Sequence, residues 1–360
     1  MSWRVLLSIS VMVLGSACSM IVAIDPPYDD ALGGQAGTPT TPIEAGGASG
    51  AGGSAGRAGA PARIPPECEG PIEFGDPHIE ELVRQGVGIP EADLTFNDVS
   101  ALCSFNSQGV DTVSDLGGIE CLRGLSSLTI ENAAVSDLSP LSSLTGLVRL
   151  DLSNNDIAEL APLGTLTLLS ELDLSYNAIV DLTPLSTLGH LSRLDLPANQ
   201  IEDLTALGAL EALVDLNLGR NHIADLTPLS DSASLRRLRL HENDITDLTP
   251  LSTLTALETL SLQSNRISDL RPLSGLTGLD GLSLDDNQVS DLTPLSSLNA
   301  LRILSLTGNS ITSLSALVDS ECLAANAWVS VTDNPVDCEA EADNIAEFEA
   351  RGITVLTDCM

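Results

Sequence analysis

The sequence predicts an α/β solenoid: a right-handed superhelix whose short parallel strands form one concave β-sheet, with a small helical N-terminal cap and an αβ C-terminal cap. Three observations predict it. Leucines 125, 147, 169, 191, 213, 235, 257, 279 and 301 recur every 22 residues without a slip, a period that only stacked repeats produce. Each unit carries the pattern L-x-x-L-x-L-x-x-N-x-I-x-D-L-x-P-L, intact from Leu235 to Leu251. Finally, 43% of residues are hydrophobic but only 2% aromatic, so the core is aliphatic.

The elements follow in chain order. Residues 1–17 combine Arg4, an apolar run from Val5 to Leu14 and the small residues Gly15, Ser16 and Ala17. That is the layout of a secretory signal peptide, too short to span a bilayer. The string Leu14-Gly15-Ser16-Ala17-Cys18 resembles a bacterial lipobox, with the Leu four residues before the Cys instead of three. The resemblance implies lipidation at Cys18; ordinary secretion with cleavage after Ala23 is the alternative. Residues 18–66 form a lipid-anchored linker of Gly, Ala, Ser, Thr and Pro that cannot bury enough apolar surface to fold. As a random coil it spans roughly 38 Å root-mean-square.

Residues 67–124 are expected to form the helical cap and a degenerate repeat. A helix is predicted near His78–Gln85, and a second starts at Thr95 with Asp98 three residues on, the spacing of a capping box. Val113, Asp115, Leu116, Ile119 and Leu122 fall one period before Val135, Asp137, Leu138, Leu141 and Leu144. Nine regular units occupy 125–322. In each, two leucines such as Leu150 and Leu152 alternate with polar neighbours and face inward from a strand. The asparagines 155, 177, 199, 221, 243, 265, 287 and 309 end the strands, with Ala133 in the first unit; a side-chain amide there satisfies open backbone groups as the chain turns. The D-L-x-P-L arm, short and holding proline, reads as 3₁₀ or irregular backbone. Nine strands stacked at about 4.8 Å extend roughly 43 Å. Residues 323–360 form the second cap: Trp328–Val331 as a last repeat strand, a helix from about Glu339 to Arg351 with Asp337 at its N-cap and Gly352 at its stop, then a covering strand over Ile353–Leu356.

These units are leucine-rich repeats. With the helical cap and Gly118-Ile119-Glu120-Cys121-Leu122 before units carrying Asp-Leu-x-Pro-Leu, residues 72–320 resemble the bacterial internalins. The resemblance implies a binding module whose partner is chosen by the variable positions of the sheet. It stops at the second cap, which is unlike the immunoglobulin-like continuation of many internalins.

Chemistry is constrained by what is missing. All 15 basic residues are Arg, which excludes Schiff-base lysines, P-loops and kinase lysines. A formal charge of -35 disfavours nucleic acid. His78, His190, His222 and His241 accompany no nucleophile or metal motif, so no enzyme activity, cofactor or metal is expected. Six cysteines flank the array: Cys68, Cys103 and Cys121 in the first cap, and Cys322, Cys338 and Cys359 near the second. In an exported protein these suggest disulfides pinning the ends. Pairing of Cys338 with Cys359 is expected, because a helix and a returning strand bring them together, and each cap is expected to keep one odd cysteine.

The outward strand positions are the candidate binding face. They read Arg149, Asp151, Glu171, Asp173, Arg193, Asp195 and Asp215 in the first half, with Asp151, Asp173 and Asp195 in one column. Like charges at strand spacing need offsetting, either by Arg149 and Arg193 or by calcium, for which a flat column lacks a cage. Next come Arg220, Arg236, Arg237, Arg239 and His241, and then small neutral residues, Ser261, Gly281, Ser283 and Ser305. Tyr176 is the only aromatic in the nine units. Ser232 stands where neighbouring units have Leu210 and Leu254, a less filled interior beside the arginines. The expected binding residues are therefore Arg237, Arg239, His241, Arg220, Asp151, Asp173, Asp195, Asp215 and Tyr176, with the basic zone as hot spot.

The chain thus reads as a surface-exposed, monomeric lipoprotein of the cell envelope, at the outer membrane or cell surface and otherwise secreted. It is expected to bind an extracellular protein or glycan and to touch membrane only through its lipid. A structural envelope scaffold without a discrete ligand is the alternative. An intracellular regulator, for which similar repeats are also used, is opposed by the signal and the cap cysteines.

Overall fold

The structure, a computed structural model, describes residues 66–107, 113–319 and 323–359. The export signal, Cys18, the linker up to residue 65 and Cys322 lie outside the described residues. The described residues belong to one compact unit.

Its backbone is a single parallel sheet of 12 strands in sequence order: β1 (Ser104–Asn106), β2 (Ser127–Thr129), β3 (Arg149–Asp151), β4 (Glu171–Asp173), β5 (Arg193–Asp195), β6 (Asp215–Asn217), β7 (Arg237–Arg239), β8 (Thr259–Ser261), β9 (Gly281–Ser283), β10 (Leu301–Ser305), β11 (Leu323–Ser330) and β12 (Thr354–Leu356). At about 4.8 Å per strand the sheet extends about 53 Å. It is longer than nine units because β1 precedes the regular repeats and both strands of the second cap join it.

Each triplet directs its middle leucine and the residue after the strand inward: Leu150 and Leu152 are buried, as are Leu172 and Leu174, while Arg149 and Asp151 stay on the open face. Burying one such side chain contributes roughly 2 kcal/mol. A single unit leaves both flanks of its leucine layer exposed, so the layers are stable only when stacked. The return arms are 3₁₀ turns such as Ser139–Ser143, Ala161–Thr165 and Thr183–Thr187. Aspartate two residues before the turn caps it: Asp181 accepts the Thr183 N–H at 2.8 Å, and Asp225 accepts that of Thr227 at 2.8 Å. In the unit of Ser232 the turn shortens to Thr227–Leu229, and Ser232 is buried in a leucine slot.

The asparagine column forms a buried ladder. Asn221 donates its amide to the carbonyls of Leu196, Leu218 and Gly219 at 3.1, 3.1 and 3.2 Å, and its Oδ1 accepts the Ile201 N–H at 3.0 Å. The residue before each of these asparagines is left-handed, with φ between 52° and 57° for Asn154, Tyr176, Ala198, Arg220, Glu242, Ser264 and Asp286, and Asn132, before Ala133, adopts the same conformation in the first unit. This conformation costs an L-residue about 1–2 kcal/mol. The following asparagine, bonded both to its own turn and to the preceding unit, holds it there.

The first cap contains α1 (Pro77–Val87), capped by Asp76 through the His78 N–H at 2.8 Å, and the short α2 (Phe96–Val99). Asp98 reaches back to the Thr95 N–H at 2.8 Å. Val113, Leu116, Ile119 and Leu122 are buried beneath the first unit. Cys68 is disulfide-bonded to Cys121 with a Cα separation of 5.6 Å. Cys103 is disulfide-bonded as well, which corrects the expectation of an odd cysteine in this cap.

At the other end, α3 (Ser315–Asp319) replaces the 3₁₀ turn, and three additional residues separate Asn309 from Asn334 relative to the regular spacing. A bulge in β11 absorbs them: Leu301 pairs with Leu323, but Ile303 pairs with Trp328. The ladder resumes beyond it, with Asn334 donating to the Leu306 carbonyl at 2.8 Å and accepting the Ile311 N–H at 2.9 Å. The helix α4 spans Ala342–Ala350 with Glu341 at its N-cap position. Asp337 instead accepts the N–H groups of Glu339 and Ala340 at 3.1 and 3.2 Å, so it caps the turn ahead of the helix. Glu341 is committed elsewhere, its carboxylate accepting the Leu314 N–H at 3.0 Å and tying the helix to the array. Gly352 is left-handed at the helix stop, and a disulfide joins Cys338 to Cys359 with a Cα separation of 5.1 Å.

The open face of the sheet as candidate binding surface

Parallel register turns the 22-residue period into columns. Arg149, Glu171, Arg193, Asp215 and Arg237 are successive cross-strand partners in one column, and Asp151, Asp173, Asp195, Asn217 and Arg239 in the next. Signs alternate along the first column, while the second begins with three aspartates; Arg149 pairs with a carboxylate of the next unit and Arg193 with one of its own strand. Arg149 meets Glu171 at 2.9 Å, and Arg193 meets Asp195 at 2.7 Å.

The basic zone is not a free positive patch. Arg237 and Arg239 converge on the buried Asp215 at 2.8 and 2.9 Å, Arg220 pairs with Glu242 at 2.9 Å, and Arg236 pairs with Glu258. The zones seen along the chain run into one another because each unit lies about 4.8 Å from the next in space, whatever their distance in sequence. What remains is a fixed array in which one buried carboxylate orients two guanidinium groups whose outer edges stay accessible.

The aspartate column is neutralised unevenly. Asp195 has Arg193, while Asp151 and Asp173 accept from the serines two residues on, Ser153 N–H at 3.0 Å and Ser175 N–H at 2.9 Å. Asp173 is pushed up to about 6, chiefly because burial strips water from its charged form, and further because Asp151 and Asp195 flank it. Hydrogen bonds from Ser175 oppose that rise. Among the described residues, no group of three or more His, Cys, Asp or Glu is arranged to hold a metal ion.

Tyr176 and Arg220 stand off the strands. Both occupy the left-handed position before an asparagine, which puts them on the rim where the chain leaves the sheet. Glu242, and after it Tyr176, hold the Arg220 guanidinium in its charged form. The His241 ring lies directly over Gly219: a Cβ at that glycine would fall 2.1 Å from the ring, so the small residue in one unit seats the histidine of the next. Arg237, Arg239, His241 and Asp215 therefore form one cluster, Tyr176 and Arg220 a rim beside it, and Asp151, Asp173 and Asp195 a separate column.

Sequence inspection missed one face residue. Trp328, assigned to the cap, is the cross-strand partner of Ile303 and so belongs to the same column as Arg237 and Gly281. The pattern that could have found it is the alternation of buried Ala327, Val329 and Val331 around it. The three-residue insertion hid the register.

The family described as "Leucine Rich repeats (2 copies)" matches residues 145–187 and 233–275. No curated protein matches the chain. Among solved structures, an internalin (inlF) of Listeria monocytogenes is 27% identical over 79% of this chain and 88% of its own, with a TM-score of 0.68. An internalin C2 of the same organism is 31% identical over 65% of this chain and 94% of its own, with a TM-score of 0.50. A leucine-rich repeat protein of Leptospira interrogans, at 21% identity over 72% and 73% of the two chains and a TM-score of 0.64, shares the fold.

Proposed function

Given that the chain belongs to the leucine-rich repeat proteins of internalin type, we propose that it is a binding module displayed outside the cell, whose sheet face recognises an extracellular protein. Proteins of this type typically mediate protein binding. The observation that carries the proposal here is the Asp215 fork. A buried carboxylate holding two arginines at 2.8 and 2.9 Å pre-orients them, so less side-chain entropy is lost when they meet a partner's carboxylates. Tyr176, half exposed on the rim beside Arg220, adds the residue type that most often anchors protein interfaces.

Lipidation at Cys18 and the 18–66 linker complete the proposal: the module is tethered to the envelope and held off the membrane on a flexible leash. Among the described residues no helix is long and apolar enough to cross a membrane. Cells fed a labelled fatty acid are expected to mark the wild type and not Cys18→Ser; equal labelling of both removes the tether.

The binding claim is tested by cross-linking pull-down from intact cells with Arg237→Gln/Arg239→Gln. Gln keeps a donor for Asp215 while removing the charge. Partner capture is expected to fall about tenfold and to lose its salt sensitivity; because the buried Asp215 also loses its counter-charges, capture is compared at a temperature below the thermal transition of both proteins. Identical capture and salt dependence in both proteins would instead favour a structural envelope scaffold.

A further inference from the structure

The far half of the sheet face differs from the charged half. Its central column is four serines in cross-strand register, Ser261, Ser283, Ser305 and Ser330. They face outward, since Leu282, Leu284, Leu304, Leu306, Val329 and Val331 between them are buried in the core. Ser283, Ser305 and Ser330 are nevertheless only 4–5% exposed, because the flanking columns rise above them. One flank is Thr259, Gly281, Ile303 and Trp328; the other is formed by Gln263, Asp285 and Thr307. The result is a trough about 14 Å long at strand spacing, with hydroxyls on its floor and an aromatic–aliphatic wall at one end.

Most floor hydroxyls are already paired. Ser261 donates to Gln263, Ser305 donates to Asp285 at 2.6 Å, and Ser330 shares a hydrogen bond with Thr307 at 2.8 Å. Ser283 is the exception: among the described residues its hydroxyl has no partner, yet it is not sealed from solvent. The wall opens beside it, because a Cβ at Gly281 would meet only Thr259 Cγ2 at 3.7 Å. The hydroxyl is thus free to hydrogen-bond an incoming group, and the missing side chain at Gly281, two residues before it on the same face, leaves a notch beside it with room for one.

Charge selects the ligand class. Asp285 is the only ionisable residue on the floor or walls, and the arginines on the adjoining strand, Arg237 and Arg239, cross-strand partners of Thr259 and Ser261, are both paired with Asp215. With Asp285 its only charge, the strip offers hydrogen-bonding and apolar contacts in place of an ion-pairing surface. We propose that the trough binds a neutral oligosaccharide, one sugar ring packing its C–H face on Trp328 and Ile303 while hydroxyls of the next rings reach Ser283 and Asp285. A sugar offers an apolar face and a polar rim together, as this trough requires. The trough adjoins Arg237 and Arg239 at its Ser261 end, and its ligand contacts at Ser283, Asp285, Ile303 and Trp328 begin two strands farther along the sheet.

The chain has two tryptophans, so full-length protein carrying Trp3→Phe reports from Trp328 alone. This protein is titrated with cellohexaose, mannohexaose, maltohexaose and N-acetylchitohexaose, recording emission. A saturable shift with at least one sugar is expected, equal at low and high NaCl. Ser283→Val, which fills the notch, and Asp285→Asn are expected each to weaken it at least tenfold with an unchanged thermal transition. Arg237→Gln/Arg239→Gln leaves it intact. The proposal is overturned by no saturable shift with any of the four sugars, by undiminished affinity in both trough variants, or by a shift with a neutral acetylated and amidated Ser-Ala-Thr hexapeptide alone, which would reassign the trough to an extended peptide.

Discussion

Asp173 on the sheet face and Asp203 on the outer turn share a local design. Each lies in a 22-residue column of acidic residues, and each accepts the N–H and hydroxyl of the residue two positions on: Ser175 with its N–H at 2.9 Å, and Thr205 with its N–H at 2.8 Å. Their acidities nonetheless move in opposite directions. The Thr205 bonds hold Asp203 below the usual carboxylate range, whereas Asp173 rises to about 6. Asp203 is exposed and its column is screened by water, while Asp173 is walled in by neighbouring strands, with Asp151 and Asp195 at strand spacing. The same short motif caps a turn in one place and concentrates unrelieved charge in another. That contrast separates the scaffold of this protein from its face.

The largest expected effect tests the burdened member of the pair. Asp173→Asn keeps the acceptor for Ser175 and removes the charge. The lowered acidity means the native state holds a proton between about pH 4 and 6 that the unfolded chain has released, so wild-type stability falls as pH rises through that window. Above pH 6 the penalty is complete, at about 3 kcal/mol for a shift of this size. Asp173→Asn is expected to be more stable at pH 7.5 by up to that amount and to lose the slope, as measured by urea unfolding across pH 4–8. Equal slopes in the two proteins would mean that the column is solvated after all.

A smaller effect sharpens the comparison. Ser175→Ala deletes one of the bonds that oppose the rise, so the midpoint of the stability change is expected to move above 6, by less than one unit. The matching change on the outer turn is smallest and opposite in sign. Asp203 adds stability that is present above the unfolded carboxylate pKa and lost as pH falls through its lowered value. Asp203→Asn is therefore expected to lower stability slightly at pH 7 and to leave less to lose in acid, readable as a small drop in thermal midpoint at pH 7.

How far the site was legible depends on which distances matter. The columns themselves were readable, since equal unit lengths put Asp151, Asp173 and Asp195 side by side. The pairing within them was not. Arg237 and Arg239 share Asp215 across one strand step although 22 and 24 residues separate them from it, and chain order presents those residues as zones of opposite sign. The rim position of Tyr176 and Arg220 was hidden for a different reason: their left-handed backbone turns them out of the strand direction, and neither residue type signals that conformation. Trp328 escaped because a bulge changed the count.

The sequence by itself determined the repeat, the inward leucines, the asparagine turns and the caps. Each is a consequence of one unit's own chemistry, copied at a constant interval. Only the tertiary structure decided which carboxylates are relieved, which serine keeps an open hydroxyl, and which cap residue joins the face. Those properties belong to contacts between units, where burial and a spacing of about 4.8 Å act on side chains that the chain itself holds more than twenty residues apart.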